Sequence, residues 1–254
     1  METTPDYYAL FRQVLDAPYT QLRKETASYS FRLSRGTLEI FFEWSRGAVD
    51  WKNNLDFPAR PYRDMADRWY AHRGFLRVWK TLEPVLSPWI LHPQVQSIRI
   101  AGYSHGAALA LLCHEYCMFY RQELAEAESI SGVGFGCPRV LFGAVSPRVA
   151  ERFRNFTVIR NCRDLVTHLP PALLGYRHVG TLLQIGSGAP MSAVDCHRPE
   201  NYLAALRQWR EEQGSVPLFQ RGAENPSARR NAMALPIGSA GESSPSAAST
   251  RTDE

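Results

Sequence analysis

Ser97-Ile98-Arg99-Ile100-Ala101-Gly102-Tyr103-Ser104-His105-Gly106-Ala107-Ala108-Leu109-Ala110-Leu111-Leu112 decides the fold. Its first five residues alternate and carry β-branched Ile98 and Ile100, which predicts a strand over 97–101. Its second half is rich in alanine and leucine, which predicts a helix continuing to about residue 123. Between them lies Gly102-x-Ser104-x-Gly106. A serine at such a strand-to-helix turn sits on a tight backbone corner, and small neighbours let strand and helix approach closely. Its hydroxyl then stands clear of the sheet, at a helix N-terminus whose N–H groups and positive dipole end suit a developing oxyanion. The five-residue pattern alone arises often by chance; in its strand–turn–helix context it points to a nucleophile.

The chain has 254 residues, 44% hydrophobic and 21% charged, enough for one large α/β domain or a domain with a tail. The formal net charge of +4 comes almost wholly from arginine, because Lys24, Lys52 and Lys80 are the only lysines. The arginines are scattered, which gives no support to nucleic-acid binding. They suit a solvated surface or a transient contact with an anionic lipid surface. Residues 1–8 carry neither a basic n-region nor an apolar core, and no apolar run approaches the ~20 residues that span a bilayer. A soluble, cytoplasmic protein is therefore expected, with signal-independent export left open. The five cysteines form neither a CxxC pair nor a zinc framework, and His114-Glu115 lacks the second histidine of an HExxH site. Neither a metal nor a cofactor is expected.

Outward from the central stretch, 6–22 has apolar residues near helical spacing, and 37–44 is strongly strand-like, while 28–35 is ambiguous. The segment 57–71 mixes Pro58 and Pro61 with charges and aromatics and reads as a mobile flap. Residues 74–91 read as a helix broken at Pro84 and Pro88. Strands follow at 129–136, 156–161 and 181–185, with a short helix at 146–155 and a closing helix at 199–211. This alternation predicts a mostly parallel sheet with helices on both faces. From about residue 214 the composition turns to Ser, Ala, Gly and Pro, so the domain is expected over 1–213 and a disordered tail over 214–254.

A serine attacks only when a base takes its proton, and the base needs a carboxylate to hold its tautomer. In the α/β-hydrolase order the acid and then the base follow on loops after later strands. Asp164 comes directly after the strand 156–161; its plainer alternative is a turn aspartate. His168 is too close to Asp164 and reads as a wall of the site, and His178 immediately precedes a strand, where packing or a backbone hydrogen bond suits it. His197 lies after the last strand and before the last helix, where a general base belongs. For the oxyanion, the N–H of His105 is one donor; Ser45, just past the strand 37–44, is the second.

Several blocks together resemble the class 3 lipase family, the fungal-lipase-like branch of the α/β hydrolases. Phe42-Glu43-Trp44-Ser45 with Asp50-Trp51 and Asn54-Leu55 resembles that family's F-R-G-[ST], D-W, N-L segment, and His72-x-Gly74-Phe75 its H-x-G-F. Residues 100–110 resemble its G-H-S-L-G-G-A-L-A, and Phe135-Gly136-Cys137-Pro138-Arg139-Val140 its F-G-x-P-R-V. Arg160-Asn161-x-x-Asp164-Leu165-Val166-x-His168-Leu169-Pro170-Pro171 and His197-x-x-x-Asn201-Tyr202 resemble its two C-terminal blocks. The resemblance implies Ser104 as nucleophile, Asp164 as acid, His197 as base and Ser45 as oxyanion donor. The departures are Tyr103 and His105 around the nucleophile, Ala107 for a glycine, Glu43-Trp44 where Arg-Gly is usual, and Cys196 before the base. Arg35-Gly36-Thr37 imitates the family's R-G-T but begins a strand, and is a decoy.

The expected activity is cleavage of carboxylic esters of lipids, or of a small ester substrate, by a Ser-His-Asp triad through an acyl-enzyme. The mixed, short flap favours an esterase or phospholipid-type acyl hydrolase over a dedicated triglyceride lipase. The alternatives are a non-catalytic binding protein that kept the fold, and an acyltransferase using the same triad. Cys162 and Cys196 flank the acid and the base; buried thiols are the expectation, a redox bridge the alternative.

Overall fold

The computed structural model of the chain describes residues 5–22, 28–44, 56–62, 69–186 and 191–213, the backbone of the last helix continuing to Ser215. The described residues up to Gly214 belong to one compact unit. Of the tail expected over 214–254, residues 214 and 215 continue the last helix and the rest lies outside the described residues, as do Ser45 and residues 63–68 of the expected flap.

Seven strands form the central sheet, in the order β1 (Thr20–Gln21), β2 (Ser28–Ser34), β3 (Thr37–Phe42), β6 (Ser97–Tyr103), β7 (Ile130–Phe135), β9 (Phe156–Asn161), β11 (Thr181–Ile185). From β3 to β11 every pairing is parallel, while β1 and β2 run antiparallel at one edge. The carboxyl ends of β6, β7 and β9 therefore point the same way, and the loops above them share one rim, the usual place for a site in an open α/β sheet. The ambiguous stretch 28–35 is strand β2 and its turn. Arg35 and Gly36, at φ +48° and +77°, make the tight two-residue turn of a β2–β3 hairpin, pairing Ser34 with Thr37. The decoy tripeptide is this turn.

Helices cover both faces. On one lie α2 (Arg73–Ile90) and α3 (His105–Tyr120); the shorter α4 (Gln122–Glu126) follows after a break at Arg121. Every residue of α3 from His105 to Cys117 is buried, as befits a helix apolar on all sides. Its close seat on the sheet depends on absent side chains: a methyl group at Gly102 would lie 2.2 Å from the Gly106 carbonyl oxygen, and one at Gly106 would lie 2.3 Å from that of Phe42. Arg121 is buried and donates to the carbonyls of Ile90 and Val95, tying the end of α2 to the approach to β6.

Pro84 and Pro88 do not break α2, which runs unbroken through both. They are one turn apart on its exposed side, so the carbonyls they leave without a helical donor face water, while Leu82, Leu86 and Ile90 anchor the opposite side. The described parts of 57–71 are not a loose flap either. They form an antiparallel hairpin, β4 (Ala59–Tyr62) and β5 (Trp69–His72), within a second sheet ordered β10 (Tyr176–Arg177), β8 (Leu141–Phe142), β5, β4. Burial overrides the charge pattern here: Tyr62, Trp69 and Ala71 join the core, and Trp79 Nε1 donates to the Tyr62 hydroxyl at 2.7 Å. Pro61 is tolerated because β4 is the edge strand.

On the other face lie α1 (Tyr7–Asp16), capped by Asp6, which accepts from the Ala9 N–H, and the closing helix α6 (Pro199–Ser215). Between them and the sheet, Phe11, Tyr103, Phe135, Tyr202 and Leu206 form a separate small core. The short α5 (Pro147–Arg152) precedes β9, with Ser146 as its cap.

Candidate active site

Ser104 occupies the corner between β6 and α3 at φ +57°, ψ −120°, a conformation that non-glycine residues rarely adopt. The small residues at 102 and 106 allow the corner, and the strain presents the hydroxyl at the sheet rim. Its Oγ lies 2.8 Å from His197 Nε2. The other imidazole nitrogen, Nδ1, lies 2.8 Å from Asp164 Oδ2. A neutral ring fits only one way: Nδ1–H donates to the carboxylate and Nε2 accepts from the serine hydroxyl. Three residues more than thirty positions apart from one another thus form one hydrogen-bonded line.

Asp164 is completely buried beyond the end of β9, and a buried carboxylate needs donors. Oδ1 accepts from the Val166 N–H at 2.9 Å. Oδ2 accepts from the Tyr202 hydroxyl at 2.6 Å as well as from His197. Tyr202 reaches up from α6, and its oxygen also accepts from the Asn161 N–H at 3.2 Å. Burial, then the charge of Asp164, pushes the Tyr202 hydroxyl well above its ordinary range, so it stays a donor.

His197 ends a single 3-10 turn, Asp195–His197, just before α6. Three successive carbonyls of this turn each accept from a side chain elsewhere: that of Asp195 from Asn201 Nδ2 at 2.8 Å, that of Cys196 from buried Asn161 Nδ2 at 3.0 Å, and that of His197 from the Tyr103 hydroxyl. The Tyr103 ring also stacks on the imidazole, centroids 5.2 Å apart and planes 27° from parallel. Gly136, at φ +58° after β7, leaves room for the acid–base pair: a methyl group there would lie 2.9 Å from His197 Cε1 and 3.1 Å from Asp164 Oδ2.

His105 opens α3 next to the nucleophile, so its N–H stands where a helix supplies no acceptor of its own. Ser45 lies outside the described residues. His178 and His114 serve the fold. His178 Nε2 bonds the Thr167 carbonyl at 2.7 Å, and burial lowers its pKa to about 4. His114 is fully buried against Phe153 and Phe156, bonded to the Arg152 carbonyl, and burial lowers its pKa to about 4 too. His168 does border the site, its Nδ1 2.9 Å from the Asp164 carbonyl. Cys162 and Cys196 are both thiols; Cys162 Sγ donates to the Gly186 carbonyl at 2.6 Å, and burial raises its pKa to about 11.

Sequence reasoning gave no role to Gly136, Asn161 or Tyr202. Gly136 was legible only as the last glycine of a strand, because its contacts lie 28 and 61 positions away along the chain. Tyr202 had one available signal: it falls five residues after the base, on the inward side of a helix starting at Pro199.

The family model for lipase (class 3) matches residues 40–174, a span that holds Ser104 and Asp164 and ends before His197. A lipase of Rhizomucor miehei is 28% identical over 167 residues, which cover 64% of this chain and 46% of that protein; the chain spans about half the length of this curated relative. The solved structure of the Rhizomucor miehei triacylglyceride lipase superposes with a TM-score of 0.57 at 23% identity, covering 73% of this chain and 80% of the other. A triacylglycerol lipase whose catalytic centre is described as a serine-protease triad matches at 25% identity and a TM-score of 0.55, covering 68% of this chain and 66% of its own.

Proposed function

The chain belongs to the class 3 lipase family, and from that membership and the geometry above we propose that it is a serine hydrolase cleaving the carboxylic esters of lipids. The observation that carries the reading is the unbroken line from Ser104 Oγ through the His197 ring to Asp164.

In the proposed reaction, Ser104 Oγ attacks the ester carbonyl carbon as its proton passes to His197 Nε2. Asp164 accepts the Nδ1–H throughout and stabilises the imidazolium formed. The carbonyl electron pair moves onto oxygen, where the His105 N–H donates to it; a donor at this position is worth about 10²–10³ in rate. Ser45 is the proposed second donor. Collapse expels the alkoxide, which takes the proton from Nε2 and leaves as the alcohol. Water then attacks the acyl-enzyme, with the same ring as base, releasing the fatty acid and restoring the hydroxyl.

For the substrate class, we favour an esterase or phospholipid-type acyl hydrolase over a dedicated triglyceride lipase. The described part of the β4–β5 hairpin supports this, because Tyr62 and Trp69 turn inward and Arg60 outward. An interfacial lid needs a continuous apolar face. A fluorophosphonate probe should label the wild type at Ser104 and leave Ser104→Ala unlabelled, and esters of graded chain length plus phospholipid should report the preference. A folded wild type that neither reacts with the probe nor hydrolyses any ester would end this reading.

A further inference from the structure

Tyr103 stands one residue before the nucleophile, where the family pattern described above has histidine. On β6 it shares a side of the sheet with Ala101 and points into the small core beneath the site. Phe11 meets its ring edge-on at 5.3 Å, Tyr202 lies at 5.6 Å and Trp44 at 6.2 Å, so the ring has little freedom to turn. From this fixed seat it meets the base twice, once with its π-face against the imidazole and once with its hydroxyl on the His197 carbonyl.

We infer that Tyr103 is a positioning residue for the general base, acting on the backbone of His197 through its hydroxyl and on the imidazolium through its ring. The inference rests on the hydrolase reading of the same site. Each contact has its own chemistry. The hydroxyl completes the set of three donors, from Asn201, Asn161 and Tyr103, that fixes the 3-10 turn, so it sets where the ring stands relative to Ser104. Burial and the nearby charges of Asp164 and Glu200 keep that hydroxyl protonated far above any working pH. The ring face does something different. An aromatic face attracts a cation more than a neutral ring, so it favours the imidazolium that exists only while Ser104 is attacking or leaving. Asp164 supports that cation at its edge, and Tyr103 supports it from below.

Among the described residues, four groups meet the imidazole besides Tyr103. Ser104 and Asp164 hold its two nitrogens, Gly136 presents only backbone, and Tyr202 approaches edge-on at 6.4 Å. Asp164 is the charged group bonded to the ring, and neither it nor nearby Glu200 is altered in the variants below, so a change in protonation behaviour would trace to the stacked ring.

The test compares Tyr103→Phe and Tyr103→Leu with wild type on a soluble nitrophenyl ester across pH. Tyr103→Phe keeps the stack and loses the carbonyl anchor. Its kcat should fall about fivefold, the worth of one neutral hydrogen bond, with KM and the pH profile unchanged. Tyr103→Leu loses both contacts. Its kcat should fall about 25-fold, and the acid limb of kcat/KM should move to lower pH, because the cation has lost its face. A residue that merely fills space would lower the melting temperature without moving that limb. Wild-type kcat in both variants, or a loss confined to KM, would overturn the inference. If the leucine variant does not fold, the phenylalanine variant, which keeps nearly all the buried area, decides by its kcat alone. Failure of the hydrolase reading would look different: turnover would survive Ser104→Ala.

Discussion

Replacing Gly136 with alanine adds one methyl group at the point where the acid and the base meet. That carbon would lie 2.9 Å from His197 Cε1, 3.1 Å from Asp164 Oδ2 and 3.1 Å from His197 Nδ1. Carbon atoms in comfortable contact stand about 3.5–4.0 Å apart, so the imidazole must retreat by roughly 0.6 Å or more. The backbone cannot yield instead, because the Gly136 N–H is held by the Ile159 carbonyl at 2.9 Å. If the retreat falls on the far side of the ring, the 2.8 Å contact from Ser104 to Nε2 lengthens past hydrogen-bond range. A misplacement near 1 Å costs about 10²-fold in rate, so kcat should fall between ten- and a hundredfold with KM little changed. Alanine at φ +58° adds about 1–2 kcal/mol of strain, which for a domain of this size lowers Tm by about 2–8 °C. Ester turnover, probe-labelling rate and a melting curve on one preparation read all three. Wild-type labelling in a Gly136→Ala protein would refute the claim that this glycine makes room for the pair.

Tyr202→Phe removes a 2.6 Å donor from a fully buried carboxylate and an acceptor from the Asn161 N–H. A hydrogen bond to a charged group is worth about 1.5–3 kcal/mol, so urea melts should show a loss of that order, and kcat should drop about tenfold. Stability should also depend on pH through His114 and His178, whose folded pKa values of about 4 lie below the ordinary 6.5. The unfolded chain binds protons that the native state refuses, so this contribution is complete above pH 6.5 and shrinks as pH falls toward 4. From pH 6.5 to 5, where ordinary carboxylates are still mostly ionised, each histidine accounts for about 1.6 kcal/mol of loss. Denaturant midpoints that stay flat over that window would contradict the burial of both rings as neutral bases.

The parts of this site that the chain announces are those whose geometry is local. Gly102, Ser104 and Gly106 sit within five residues, and their reason for being small is the contact each makes across that one turn or with the strand beside it. Asp164 and His197 could be reached because a hydrolase sheet puts its acid and base on successive rim loops, and strand ends can be counted. Tyr202 and Gly136 act across the fold, so their positions could be seen in the chain but the contacts that give them a role could not. The errors in the fold reading share one physical source, which is burial overriding local chemistry. Charged and proline-containing residues suggested a loop at 57–71, where two inward aromatics hold a hairpin. Two prolines suggested a broken helix, where three buried aliphatic residues anchor an unbroken one and the prolines lie on its exposed side.

Phe11 of the first helix touches Tyr103 and Phe135, while Tyr202 of the last helix touches both Phe11 and Tyr103. The floor under the reactive serine is therefore built from opposite ends of the compact unit. During synthesis the nucleophile leaves the ribosome 93 residues ahead of its base, and it waits on an unfinished floor until the closing helix arrives. The carboxylate that completes the line from Ser104 therefore gains its Tyr202 donor only with the last helix in place.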